Sequence, residues 1–422
     1  MKVLLIGNGA REHALADHLV RSGAELYSYM KHLNPGIAAL AKDYKIGRWR
    51  NLDNLLELSS KHELDYAIIG PDKPLFLGMV DYLQTLGIGV IGPTKAAAQL
   101  ETSKIFARHL LARHSPRANP KYFVCNSIQD LEEALPQLGR AVIKPDGWTG
   151  GIGVKIEGTH LQTRDDFIAY GKELLREDTE DWSRRKSFIV EEFMHGTEFS
   201  LQAFCDGSKV EPMPLVQDYR SHLIRHSLGS VSAPDHGLPG ISPRDIEEAR
   251  TIVRNMFKAM YAELGVMYQG ILYGQFIKTD EGVKVVEFNS RFGDPEALNV
   301  LHLLRDNLDE FFYKMTQNKM EAPSWRNDAT MALYLVPKGF IEGSPVANST
   351  IEIPTNLPSD VNYYYGAVYQ EEPFGRIQTI HKRSLSLFTH GSSIEEVRHK
   401  LHSAASTVKG ELTWSDAIGK DM

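Results

Sequence analysis

The feature that most limits the fold is a recurrence in the first hundred residues. Short apolar runs at Lys2 to Ile6, Glu25 to Met30, Tyr66 to Gly70 and Ile88 to Ile91 alternate with helical patterns. Strands separated by helix-length segments build βαβ units around a parallel sheet rather than hairpins. Ligands of such sheets bind beyond the carboxyl ends of the strands. Three turns stand there: Gly7 to Arg11, Gly70 to Pro74, and Gly92 to Thr94. Gly7, Gly9, Arg11, Asp72, Pro93 and Thr94 are therefore candidate substrate-binding residues. A glycine turn that opens a helix presents unpaired N–H groups and partial positive charge, which suits a phosphate. The dinucleotide fingerprint needs a third glycine at position 12, where Glu12 stands. A phosphate-bearing metabolite fits better than NAD, with a plain βα turn as the alternative.

A chain of 422 residues exceeds one ordinary core, so two or three domains are expected. Hydrophobic residues at 42% and charged residues at 24% belong to globular proteins. No apolar run approaches the roughly 18 residues that span a bilayer, and the opening residues lack a signal-peptide cleavage region. A net charge of −7 argues against nonspecific nucleic-acid binding. Cys125 and Cys205 are too few and too far apart for a disulfide framework or a zinc site, which points to reduced thiols in a cytoplasmic protein. The 16 histidines show no metal-type clustering beyond His222 and His226, in a region that need not be helical. No nucleic acid or membrane is expected as a partner.

The middle of the chain carries phosphate-type chemistry in pieces. Ala97 to His114 reads as a helix with Lys104 inside it, and Ile128 to Leu138 as another. A strand from Ala141 carries Lys144 into a loop with Gly147, Gly150, Gly151 and Gly153. Such a hairpin can close over nucleotide phosphates with its backbone N–H groups, though it is not a Walker A loop and a plain hairpin is the bland reading. Ser187 to Phe193 is a strand ending in acids and an aromatic, followed by Glu198, which can accept from ribose hydroxyls.

Val283 to Phe288 reads as a strand that puts Glu287 and Asn289 on one face, two residues apart. A carboxylate and an amide oxygen so placed suit a hard divalent cation. With a hairpin loop over 279–283, Gln275 lies opposite Glu287 as a third metal-site residue; a one-residue slip would turn it away. Arg291 and Asp294 follow, and Arg291 is a planar fork for phosphate or carboxylate. Beyond them, Asp328–Val336, Thr350–Ile353, Tyr363–Val368 and Ser384–Thr389 read as strands, and Ser392 opens a helix to about Val408.

Lys104, Lys144 with its glycine loop, Glu191 to Phe193 with Gly196 to Glu198, and the Glu287–Asn289 strand stand in the order of the ATP-grasp ligases. The opening Gly7 to Ala14, Ile91 to Thr94 and the run Asn289-Ser-Arg-Phe-Gly-Asp-Pro-Glu296 narrow this. Over residues 1 to about 410 the chain resembles the phosphoribosylamine–glycine ligase family. The resemblance implies three parts. Residues 1–100 form a Rossmann-like pre-ATP-grasp α/β domain. Residues 101–325 form an ATP-grasp core with a mobile lid over 119–190, and 326–422 form a small α+β domain. It implies a ligase of purine biosynthesis that uses ATP and Mg²⁺ (or Mn²⁺) to join glycine to phosphoribosylamine through a glycyl phosphate. It further implies a monomer or homodimer.

By the same resemblance, Lys104, Lys144, Gly147, Gly151 and Gly153 hold ATP phosphates, and Glu191, Phe193 and Glu198 hold adenosine. Gln275, Glu287 and Asn289 form the metal site, Arg291 and Asp294 hold the acid, and Arg383 reaches the ribosyl phosphate; a solvated basic pair with Lys382 is the alternative. Two departures stand out. Ile152 replaces the usual loop lysine, and Ser221–Ser230 keeps only the end of the family's glycine motif. His222, Arg225 and His226 either replace lost contacts or form a surface loop. These departures leave open a paralogous carboxylate–amine ligase, or a nucleotide-binding module without turnover.

Overall fold

The computed structural model of the chain describes residues 1–147, 153–176, 184–220, 226–234, 237–370 and 375–422. Its first layer is a parallel sheet of β1 (Lys2–Ile6), β2 (Glu25–Met30), β3 (Asp43–Ile46), β4 (Tyr66–Ile69) and β5 (Gly89–Ile91), in the order β3-β2-β1-β4-β5. The order reverses between β1 and β4, so the turns after Ile6 and Ile69 flank one crevice. β3 has no counterpart in the sequence reading, because its four residues alternate between half-buried and exposed and leave no apolar run.

A second sheet is antiparallel, β6 (Tyr122–Cys125), β7 (Ala141–Gly147), β8 (Lys155–Ile156) and β9 (Arg184–Glu192), in the order β6-β9-β7-β8. Helices Ile128–Ala134 and Arg164–Leu175 cover it, each opened by a capping box, from Ser127 and Thr163. Phe167 and Phe188 fill the space between. A third sheet carries β10 (Thr197–Asp206), β11 (Val210–Pro212) and the hairpin β14–β15 (Gln269–Thr279 and Gly282–Asn289), with the helix Pro243–Leu264 packed against it.

The last large sheet revises the expected domain division. Its order is β12-β13-β16-β20-β17, with β21 (Leu412–Thr413) pairing β16. β16 (Ala329–Pro337), β17 (Asn362–Tyr365) and β20 (Leu385–Gly391) come from the C-terminal region. β12 (Gln217–Arg220) and β13 (Ser227–Ser232) come from the middle of the chain, so a cut at residue 326 divides one sheet. β18 (Val368–Gln370) and β19 (Ile377–Thr379) form a separate ribbon. The strand expected at Thr350–Ile353 reduces to isolated bridges at Thr350 and Glu352.

Two local departures shape the cleft. The helix expected over 97–114 breaks at Ser103, whose extended backbone and Oγ cap the helix Lys104–His114. The β14–β15 turn is tighter than expected, with Thr279 facing Gly282, and a bulge beyond Val285 restores the pairing of Gln275 with Glu287. Among the described residues, no helix is long and apolar enough to cross a membrane.

Candidate functional site

The second sheet, the β14–β15 hairpin, the helix starting at Lys104 and the crevice of the first sheet converge on one cleft. At its cation end, alternation along β15 turns Glu287 and Asn289 toward the cleft. Glu287 Oε1 lies 3.6 Å from Arg220 Nη1, and Asn289 Oδ1 accepts from Arg291 Nη2 at 3.1 Å. Gln275 faces Glu287 in register as expected, yet it is fully buried and does not line the cleft. Its amide oxygen contacts the Tyr273 hydroxyl and accepts from Arg220 Nη2 at 3.4 Å, while its nitrogen donates to Glu198 at 3.3 Å. With its oxygen so occupied, Gln275 lies beneath Glu287 and outside the cleft lining.

Lys104 and Lys144 both line the cleft. Lys104 donates to Gly147 O at 3.4 Å, and Lys144 to Val286 O at 3.4 Å. Gly147 and Gly153 have positive φ, +101° and +93°, a conformation that favours glycine where the chain leaves and rejoins β7 and β8. Gly151 and the Ile152 substitution lie outside the described residues.

Glu191 departs from its expected role. It is buried, ion-paired with Lys144 and with Arg108 at 2.9 Å. Burial alone would push its carboxyl up, but Arg108 and Lys144 hold it below the usual range. It therefore ties β9 to Lys144 on β7 and to Arg108. Phe193 also turns aside: its N–H donates to Arg140 O at 2.7 Å, and its ring lies 4.0 Å from the Arg140 guanidinium. Glu198 is exposed and tied to Gln275, and neither residue lines the cleft.

The N-terminal turn is corrected as well. Gly7 N–H is taken by Tyr29 O at 3.0 Å, and Gly9 N–H by Glu12 Oε2 at 2.6 Å. A Cβ on Gly7 would lie 2.3 Å from Glu12 Cγ, so the glycine makes room for that buried side chain. The carboxylate at the helix start is the chain's own, Glu12. Arg11 does line the cleft, donating Nη1 to Phe292 O at 2.7 Å, and Asp72 lines it beside Glu101. Pro93 is buried and Thr94 accepts from Ala97 N at 3.4 Å; both shape the turn without reaching the cleft.

The other end of the cleft is a lattice of arginines and acids. Arg291 Nη2 lies 3.2 Å from Glu101 Oε1, while Glu101 Oε2 accepts from Ser290 N at 2.7 Å. Asp294 is paired with Arg383 at 2.8 Å and accepts from Tyr334 at 2.6 Å, so the C-terminal sheet reaches the cleft through this pair. Arg383 stacks over the Tyr334 ring at 4.4 Å. Arg220 binds Asp218 at 2.6 Å, and Tyr273 donates to Glu296 Oε1 at 2.8 Å.

Burial drives Glu101 up to about 7, against the pull of Arg291; burial and then Asp218 raise Glu296 to about 7. His226 lines the cleft and is held below its ordinary value by burial and Arg383. Glu101, Arg108, Arg220 and Glu296 have no assigned role in the sequence reading. Arg108 alone carried a local signal, standing one helical turn after Lys104 on the same face.

The residues present suit a polyphosphate with a hard cation. Burial lowers Lys104 and Lys144 despite the carboxylates around them. Both ammonium groups line the cleft that Glu287 and Asn289 also line, where a polyphosphate with its cation would fit.

Comparison with known proteins agrees with this chemistry. Residues 1–101 match the phosphoribosylglycinamide synthetase N domain, and 102–297 match the phosphoribosylglycinamide synthetase ATP-grasp (A) domain. The chain is 36% identical to a phosphoribosylamine–glycine ligase of Pyrococcus furiosus, covering 99% of this chain and 94% of that one. It is 39% identical to one of Methanoregula boonei, at 99% and 96% coverage. The fold resembles the crystal structure of phosphoribosylamine–glycine ligase from Thermotoga maritima, with TM-score 0.80, 24% identity, and 99% and 100% of the two chains covered. It also resembles the biotin carboxylase domain of a Hydrogenobacter thermophilus 2-oxoglutarate carboxylase, at TM-score 0.74, 13% identity, and 98% and 91% coverage.

Proposed function

Since this chain belongs to the phosphoribosylglycinamide synthetase family, we propose that its cleft joins glycine to 5-phosphoribosylamine with ATP. The products are glycinamide ribonucleotide, ADP and phosphate, formed through a glycyl phosphate. The observation that carries this is one cleft lined by two lysines, Lys104 and Lys144, together with Glu287 and Asn289. A phosphoryl group in that cleft would be held by the lysine cations beside those oxygen ligands. Glu287 and Asn289 would hold Mg²⁺, which neutralises charge on the transferring oxygens.

Arg291 and Arg220 would hold the glycine carboxylate as planar forks, and Asp218 and Glu296 would accept from its ammonium. Arg11 and Asp72 mark the approach of the phosphorylated amine from the first sheet. Asp294 and Arg383 neutralise one another and hold the C-terminal sheet against this site. Cys125 and Cys205 are buried free thiols, in keeping with a cytoplasmic enzyme.

The test is ADP release by purified protein with glycine and freshly generated phosphoribosylamine, each omitted in turn. Release that needs both supports the reading. Turnover with a different acid and amine, or ATP binding with no turnover in any pairing, overturns it.

A further inference from the structure

At the far end of the helix Glu296–Leu303, away from the cleft, three side chains from three segments converge. His302 lies in the last turn of that helix, Asp328 just before β16, and His390 in β20. β16 pairs Thr330 with His390, so Asp328, two residues earlier, lies on the same side as the His390 ring. The donor atoms of the three side chains lie within 4.8 Å of one another. His302 Nε2 is 3.2 Å from Asp328 Oδ2, and His390 Nδ1 is 3.8 Å from the same oxygen. The two imidazoles stack, with centroids 4.1 Å apart and 28° between their planes.

Hydrogen bonding explains half of this arrangement. The His302 contact is a hydrogen bond, but the 3.8 Å His390 contact is too long for one. Ring stacking by itself does not require both nitrogens to converge on one carboxylate oxygen. Ligands bonded to Zn²⁺ at about 2.0–2.1 Å in tetrahedral geometry stand about 3.3 Å apart. The observed separations, 3.2 and 3.8 Å, bracket that spacing.

We propose that His302, Asp328 and His390 form a second metal site, for a borderline divalent transition-metal ion such as Zn²⁺, with the remaining position left to water. Two imidazoles and one carboxylate select such an ion over Mg²⁺, which prefers all-oxygen shells. The ion would staple the helix that starts at Glu296, in the cleft wall, to the C-terminal sheet that supplies Arg383. Its role is to hold two layers together and not to take part in turnover.

The test uses Co²⁺ as a spectroscopic probe on the full chain, with millimolar Mg²⁺ present to occupy the oxygen site at Glu287 and Asn289. The expected result is one equivalent of Co²⁺ with the intense visible bands of low coordination number, displaced by Zn²⁺, and an upward Tm shift on metal addition. His390→Asn and Asp328→Asn should each weaken binding by about tenfold to hundredfold, abolish the Tm shift and leave ligase turnover unchanged. Both lie at the sheet margin, and the metal-free Tm of each variant reports whether it folds. Absence of the Co²⁺ bands in the wild-type chain, or bands that persist in both folded variants, overturns the proposal.

Discussion

Replacing Glu101 by glutamine isolates one buried charge in the cleft. The carboxyl keeps two partners, Ser290 N–H at 2.7 Å and Arg291 at 3.2 Å, yet burial outweighs both and raises it from 4.5 to about 7. Below the unfolded value both states carry the proton, and the charge costs nothing. Between the two values the unfolded chain ionises while the folded chain does not, so stability falls as pH rises. At about 1.4 kcal/mol per pH unit, the 4.5-to-7 interval amounts to about 3 kcal/mol, constant above pH 7.

Glutamine keeps the acceptor for Ser290 N–H and removes the titration. Urea unfolding of wild type and Glu101→Gln, from about pH 5 to about pH 8, should show the variant gaining progressively to about 3 kcal/mol. Taking the difference cancels groups that titrate alike in both proteins. A difference independent of pH would refute the reasoning. So would a variant that loses ground as pH rises, which would mean that Arg291 holds the carboxyl down.

Three further outcomes test the cleft and its frame. Lys144→Met should raise the KM for ATP roughly 10- to 100-fold, the value of one charge-assisted contact; steady-state kinetics showing an unchanged KM would remove Lys144 from the phosphate site. Glu287→Gln should abolish the Mg²⁺ dependence of turnover and cut kcat by at least about 100-fold while leaving the fold and nucleotide binding in place; retained Mg²⁺-dependent activity would reject its ligand role. Gly196→Ala places a Cβ 1.9 Å from Lys278 O at φ +153°, so it should lower stability by about 1–3 kcal/mol in the same urea assay without altering the catalytic groups; a neutral result would mean that the β10–β14 edge yields freely.

Much of the molecule is legible in the sequence because its signals are local. Apolar runs alternating with helical periods specify the parallel sheet. The two-residue spacing of Glu287 and Asn289 puts both on one strand face, and Lys104 and Lys144 stand in motifs short enough to read directly. Long-range packing decided what these motifs leave open. Arg108 and Glu191 are 83 residues apart, and only the fold brings them together as a buried ion pair.

Glu12 fills the glycine turn because β4 brings Gly70 and Pro71 against it. Gln275 meets Glu287 through a bulge whose position depends on how two strands pack, and the neighbouring Arg220 and Tyr273 then claim its oxygen. β12 and β13 leave their sequence neighbours to extend the C-terminal sheet. His302 and Asp328, 26 residues apart, meet His390 only once a helix and two strands dock. The sequence by itself determined which chemical groups the chain has and which strand or helix face carries them. The tertiary structure decided which of those groups are already neutralised by one another and which remain for a ligand, because burial and charge pairing depend on distance in space and not on distance along the chain.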